Sequence, residues 1–285
     1  IDKKDGLIRR TLLGKRCFQS ARAVLTCSVD IPPCSIGLPD YFSNHLSKID
    51  TLKTARDVSY WQQSVYSMRS EIISIMNHEK SKEFFLKLIY PRTVTLEIGM
   101  HVRRKLRKGD IVLVNRQPSL TKTNIMAHEV VFHCDKTIKM NPLVVAAYGG
   151  DYDGDEVNIH NIQSEAANLE VSMNLHPSNF LFEKTMKTTH TAEIPEIYFK
   201  PIQDFAFGFA QCYPTKKDKD EYFHHLYELW KKSPKQALAE YYTCQRKCEK
   251  YAIGRLSVGL DFSKDGNFCT KNQEDFLDMV QAKSK

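Results

Sequence analysis

What the sequence lacks narrows its class before any motif is considered. It holds no run of about 18 uncharged apolar residues, which argues against a membrane-spanning helix, and its mean hydropathy of -0.43 agrees. Its eight cysteines include no closely spaced Cys-x-x-Cys pair, so neither a zinc ribbon nor a secreted disulfide framework is indicated. A reducing compartment fits that usage. The first twenty residues begin with charge and carry no apolar stretch of the kind found in a secretory leader. No methionine starts the chain, and it is expected to be a piece of something longer. Internal repeats and low-complexity tracts are also missing.

What is present describes a globular protein. With 285 residues and 42% hydrophobic content, the chain can bury a sizeable core as one large or two ordinary domains. Lys and Arg total 41 against 34 Asp and Glu. The resulting charge of +7 is modest and only points towards a polyanionic partner.

Residues 1–48 alternate short apolar runs with Gly14, Pro32, Pro33, Gly37 and Pro39, which predicts short strands and loops. Over residues 49–90, Val58, Trp61, Val65, Met68, Ile72, Ile73, Ile75 and Met76 fall at helical spacing, which predicts a helical insert. Residues 91–164 return to strand-like runs at 93–96, 110–114, 128–132 and 144–146, separated by Gly, Pro or Asn. That pattern predicts a compact β-barrel. Helical periodicity dominates 222–251, broken at Ser233-Pro234, and reappears at 272–282. The fold class expected is α+β.

The sharpest feature is Gly149-Gly150-Asp151-Tyr152-Asp153-Gly154-Asp155-Glu156. Carboxylates this crowded repel one another unless a cation or heavy solvation intervenes. All-oxygen donors favour Mg²⁺ or Ca²⁺ over zinc. Glycines at the turn let three aspartates converge. A solvated acidic turn is the plain alternative. An EF-hand loop is disfavoured, because its twelfth position counted from Asp151 is Ile162 rather than Glu.

The surroundings of this loop sharpen the reading. Residues 148–160, followed by Gln163-Ser164, resemble the catalytic loop of the largest subunit of multisubunit DNA-directed RNA polymerases. Upstream, Asn115-Arg116-Gln117-Pro118-Ser119-Leu120 and Met126-Ala127-His128 are similar to that family's substrate-facing segment. Gly14-Lys15-Arg16, Ser20-Ala21-Arg22 and Gly37-Leu38-Pro39 resemble its template-proximal basic element. Downstream, Pro201-Ile202-Gln203-Asp204 and Arg255-Leu256-Ser257-Val258-Gly259 look like the pore and the start of the funnel. Two departures stand out: Gly149-Gly150 occupies the place of the family's Asn-Ala, so that Asn's sugar contact is not carried over, and Cys17-Phe18-Gln19 replaces the usual order in the basic element.

The resemblance implies a double-psi β-barrel active-site region at 91–164, preceded by the basic element at 1–48 and the insert at 49–90. A mostly helical pore region at 165–253 and the start of a funnel at 254–285 would follow. It implies templated nucleotidyl transfer from nucleoside triphosphates to the RNA 3′ end, by Asp151, Asp153 and Asp155 holding one Mg²⁺ while a second arrives with substrate. Arg116, supported by Gln117, would contact the ribose or the RNA end, and Lys15, Arg16 and Arg22 would contact phosphates. The partners implied are DNA template, RNA product, the second-largest subunit or an equivalent fused region, and other polymerase subunits, with no membrane. A divergent lineage of viral or cytoplasmic-plasmid type is expected, and with it the cytoplasm, the nucleus being the alternative. The competing reading is a non-enzymatic cation- or nucleic-acid-binding protein with a structural acidic loop. The basic run Arg103-Arg104-Lys105-Leu106-Arg107-Lys108 fits a nucleic-acid channel or a solvent-facing turn equally well. Cys244 and Cys248 read as helix packing rather than as zinc ligands, and Glu156 as structural.

Overall fold

The computed structural model describes residues 6, 8, 17–67, 71–79, 82–86, 94–183 and 195–256, with the backbone alone described at 203, 204 and 250–256. In chain order its elements are β1 (Ser20–Cys27), β2 (Ser35–Pro39), α1 (Phe42–His45), β3 (Ser47–Thr51), α2 (Ala55–Tyr66), β4 (Ile72–Met76), β5 (Glu83–Phe85), β6 (His101–Lys105), β7 (Ile111–Asn115), β8 (Ile125–His133), β9 (Ile138–Met140), α3 (Pro142–Ala147), β10 (Glu156–Asn161), α4 (Glu165–Asn174), α5 (Gln203–Cys212), α6 (Lys216–Lys232) and α7 (Pro234–Leu256). The class is α+β. The chain divides into two compact units, one of residues 1–141 with 148–177 and one of residues 142–147 with 178–285.

Six strands of the first unit close into a barrel in the order β1-β10-β7-β8-β2-β9. Period-2 alternation builds its wall. In β7, Val112 and Val114 point inward and are fully buried, while Ile111, Leu113 and Asn115 are only half-buried. Leu25, Ile36, Leu38, Met126, Val130, Ile138, Val157 and Ile159 join them in the core. Two of the six pairings are parallel, β2 with β8 and β9 with β1, and the other four are antiparallel.

Beside the barrel in sequence lies a four-stranded sheet of order β3-β6-β4-β5. The helix α2 starts at a capping box in which Thr54 and Asp57 exchange hydrogen bonds. Its Trp61 and Val65 pack with Leu52, Ile72, Ile75, Leu86, Leu96 and Val102. Here the expected helical insert is corrected: the helix ends at Tyr66, and Ile72–Met76 is a strand paired with β6 and β5. The β-branched run Ile72-Ile73 and Ile75 suits a pleated, half-buried surface, and pairing with β6 overrides the helical spacing. A second correction concerns residues 144–146, expected as strand. They lie in α3, where Pro142 takes the first helical position and Ala146-Ala147 favour helix.

The second unit is mainly α5, α6 and α7, and α6 opens at a Thr215/Asp218 capping box. Phe182, Phe199, Phe205, Phe209, Leu226 and Tyr241 fill its core. Gly208 of α5 lies so close to α7 that a Cβ there would stand 2.0 Å from the Cys248 carbonyl oxygen. Cys248 is buried with its sulfur 3.9 Å from that of Cys244, so the two cysteines pack the helix as expected. The helix expected at 272–282 falls outside the described residues.

Candidate active site

The barrel register places the candidate residues. Strands β7 and β10 are antiparallel neighbours, with Asn115 opposite Asn158. The chain leaving β7 at Arg116 and the chain arriving at β10 through Asp155 therefore meet at one end of the barrel. Arg116 Nε donates to Asp155 Oδ2 at 2.9 Å, and both side chains are about four-fifths buried, at 20% and 23% exposure. The same oxygen accepts the Asp151 amide at 2.9 Å. The Arg116 hydrogen bond, then that of the Asp151 amide, hold the Asp155 carboxyl below the ordinary carboxylate range. Asp155 is also fixed through its backbone, its carbonyl accepting the Leu25 amide of β1 at 2.7 Å.

Asp151 and Asp153 are exposed. Asp151 Oδ1 accepts the Tyr152 amide at 2.7 Å, and the Tyr152 hydroxyl donates to the Met140 carbonyl at 3.2 Å. The loop turns on Gly149 and Gly154, whose φ angles are +59° and +117°. Nothing lies within 4 Å of a Cβ built on either, so backbone conformation rather than space demands glycine there.

Loop donors are carboxylate oxygens, the set a hard divalent cation takes. Asp155 stays ionised over the physiological range and keeps Oδ1 free of the Arg116 and Asp151 contacts, so the chemistry of the set fits Mg²⁺. Among the described residues, no three His, Cys, Asp or Glu side chains stand gathered as one metal site. The three aspartates share a loop without being drawn around a common point.

The remaining candidates sort by position. Gln117 is exposed and precedes Pro118 through a cis peptide bond. Arg22 of β1 is paired with Glu156 at 2.5 Å and remains 59% exposed. Glu156 is itself 41% exposed in that pair. Lys15 and Arg16 lie outside the described residues.

In the basic run at 103–108 the three arginines are engaged by carboxylates, while Lys108 is exposed in the turn that follows β6. Arg104 is buried, donating twice to Asp110, at 2.7 and 2.8 Å, and once to Asp50 at 2.5 Å. Arg103 meets Glu83 at 3.3 Å, and Arg107 meets Glu71 at 2.8 Å while lying 4.8 Å over the Trp61 ring. Sequence inspection missed Asn124, which is buried and donates from Nδ2 to the carbonyl of Tyr148, where the acidic loop begins, at 2.9 Å. Tyr148 is itself fully buried, its hydroxyl 3.0 Å from His128 Nε2.

The family model described as "RNA polymerase Rpb1, domain 2" matches residues 14–176, which takes in the barrel, the four-stranded sheet and the acidic loop. The chain belongs to the RNA polymerase largest-subunit family. Among its relatives in that family, DNA-directed RNA polymerase II subunit RPB1-B of Trypanosoma brucei brucei is 33% identical over 234 residues, covering 80% of this chain and 12% of the relative. DNA-directed RNA polymerase I subunit 1 of Arabidopsis thaliana is 32% identical over 193 residues, covering 60% of this chain and 12% of the relative. DNA-directed RNA polymerase subunit 1 of Acanthamoeba polyphaga mimivirus is 33% identical over 181 residues, covering 59% of this chain and 12% of the relative. The chain thus spans about an eighth of the length of these largest subunits. They lend no support to the cytoplasmic expectation. Among the described residues, no helix is long and apolar enough to cross a membrane.

Proposed function

We propose that this chain is the active-site portion of a DNA-directed RNA polymerase largest subunit, with its acidic loop as the catalytic loop. The observation that carries this is the junction of Arg116 with Asp155, 2.9 Å apart at the barrel end, inside the segment that the family model matches. On this reading the barrel is of the double-psi type, residues 165–253 form the pore region and residues 254–285 begin the funnel.

Asp151, Asp153 and Asp155 would hold Mg²⁺, and a second ion would come with the nucleoside triphosphate. Bound there, the metal would supply charge neutralisation at the phosphates and a lowered pKa for the RNA 3′-hydroxyl. The chain's own residues do the rest. Arg116 fixes one oxygen of Asp155 and turns the remainder of its donor fork towards the ribose or the RNA end, with Gln117 beside it. Lys15, Arg16 and Arg22 contact phosphates, which position the strands without reading their sequence. The proposed partners are the DNA template, the RNA product, the second-largest subunit or its fused equivalent, and the other polymerase subunits. The place of action is the compartment that holds the template, the nucleus for relatives of the polymerase I and II kind.

The test is Mg²⁺-dependent extension of an RNA primer on a DNA template, by the full-length parent chain assembled with its partners. Asp153→Ala is expected to abolish extension while the assembly stays intact. Undiminished extension would reduce the loop to a structural acidic turn. The 285-residue chain alone is expected to make no RNA.

A further inference from the structure

One short segment fixes both ends of the acidic loop. At its start, the Tyr148 carbonyl accepts Asn124 Nδ2 at 2.9 Å. At its end, Asp155 Oδ2 accepts Arg116 Nε at 2.9 Å. Asn124 joins the two anchors directly, because its backbone carbonyl accepts the Arg116 amide at 3.2 Å.

The Asn124 side chain is held at its other end as well. Its Oδ1 accepts the Thr121 amide at 3.0 Å and also the Thr121 hydroxyl, closing the 3₁₀ turn Lys122–Asn124. With 5% exposure it has no freedom to swing into solvent. The group it holds is equally fixed: Tyr148 is fully buried, with its hydroxyl on His128 Nε2 at 3.0 Å and on the Val114 carbonyl at 3.4 Å. Gly149 follows at once with φ +59°, so the path of the loop is launched from the carbonyl that Asn124 grips.

We infer that Asn124 is a positioning residue for the acidic loop, coupling the point where the loop leaves Tyr148 to the orientation of the Arg116–Asp155 pair. The inference rests on the catalytic reading of that loop. Asn124 touches no reacting group. It acts through Tyr148 at one end and Arg116 at the other. Replacing it with aspartate keeps its shape and the Oδ1 acceptor for Thr121, removes the Nδ2 donor and sets a charge against the Tyr148 carbonyl. Replacing it with alanine removes the Nδ2 and Oδ1 contacts without adding charge and keeps the backbone carbonyl that accepts the Arg116 amide.

The experiment places Asn124→Asp and Asn124→Ala in the full-length chain of the assembled polymerase, beside wild type and Asp153→Ala. The first readout is amide hydrogen exchange without metal, followed on peptides covering 148–156 and, separately, 111–115 and 125–133. The second is the Mg²⁺ concentration for half-maximal primer extension. Both Asn124 variants are expected to accelerate exchange in 148–156 by about fivefold to tenfold, the loss of one hydrogen bond, with the barrel strands unchanged. The half-maximal Mg²⁺ concentration rises in parallel. Unchanged loop exchange and unchanged Mg²⁺ dependence, with Asp153→Ala inactive, overturn the positioning role and leave the catalytic reading standing. Acceleration spread evenly over the barrel strands in both variants also overturns it, since Asn124 then serves the fold alone. Full extension by Asp153→Ala overturns the catalytic reading itself.

Discussion

Arg116 Nε and Asp155 Oδ2, 2.9 Å apart, tie the end of β7 to the start of β10. Antiparallel pairing of those strands puts the two residues at the same barrel end. The pair is therefore a product of register.

Arg116→Ala is expected to lower primer extension by the assembled polymerase about a hundredfold, the scale of a misplaced catalytic group. Arg116 depresses the Asp155 pKa, so its removal lets that pKa rise towards the ordinary value. Asp155 remains ionised at neutral pH, so the neutral-pH defect comes from placement, and the acid limb of the rate profile moves to higher pH. Arg116→Lys restores the charge without the fork and should fall between. Wild-type kinetics in Arg116→Ala would make the pair a strand-end contact only.

Asp110→Asn should destabilise the fold by about 1.5 to 3 kcal/mol, the scale of buried hydrogen bonds to a charged group, because Asp50 still compensates Arg104. Asp110 and Arg104 are 10% and 8% exposed. Burial pushes the Asp110 pKa up, but the Arg104 hydrogen bonds and the Arg107 amide outweigh it, and the net shift is downward. A depressed carboxyl contributes stability that is complete above its unfolded pKa, about 3.9, and lost as pH falls through the folded value. Chemical denaturation at neutral and at acid pH should find the variant's deficit large at the first and shrinking at the second.

His128 gives the opposite kind of group, a base kept neutral. Burial, reinforced by the nearby His176, pulls its pKa down to about 3. Between about 6.5, the unfolded value, and about 3, the unfolded state takes the proton and the folded state refuses it. Stability then falls with pH by about 1.4 kcal/mol per unit for this group. His128→Gln should flatten that slope in denaturant titrations across the window, while an unchanged slope would mean that the folded state admits the proton.

Gly154→Ala should impair the loop through backbone conformation alone. Its φ of +117° lies outside what an L side chain readily adopts, and no neighbour crowds the new methyl. A cost of about 1 to 3 kcal/mol is expected to appear as faster hydrogen exchange of the loop and a raised Mg²⁺ requirement for extension. The β7 and β8 strands should exchange as in wild type.

Much of this arrangement was legible in the residues. The short apolar run Ile111-Val112-Leu113-Val114, bounded by Asp110 and Asn115, reads as a strand, and it is one. The break at Ser233-Pro234 separates α6 from α7. Asp151-Tyr152-Asp153-Gly154-Asp155 is a turn because glycine and aspartate leave little else. Failures came where distant partners decide. Ile72–Met76 carries a helical stripe, yet hydrogen bonds to β6 and β5 and the Trp61 cluster hold it extended. Val144-Val145 is too short an apolar run for periodicity to separate helix from strand. Arg104 reads as one more cation in a basic run until Asp50 and Asp110 are found around it. Asn124, in Thr121-Lys122-Thr123-Asn124, carries no local sign of its duty, because the carbonyl it holds is Tyr148's.

The strand β1 pairs with both β9 and β10, with Ser20 opposite His160 and Cys27 opposite Met140. During synthesis one edge of this first strand must wait for β9, and the stretch from Ser20 to Val24 for β10, the last strand of the barrel to leave the ribosome. Pairings so remote in sequence are slow to form and expose the waiting edge to misassembly. The acidic loop lies between the two late partners, so it is drawn into place by the same event that seals the wall. Barrel closure and the birth of the site are one step on the folding path, and a nascent chain stopped short of β10 has neither.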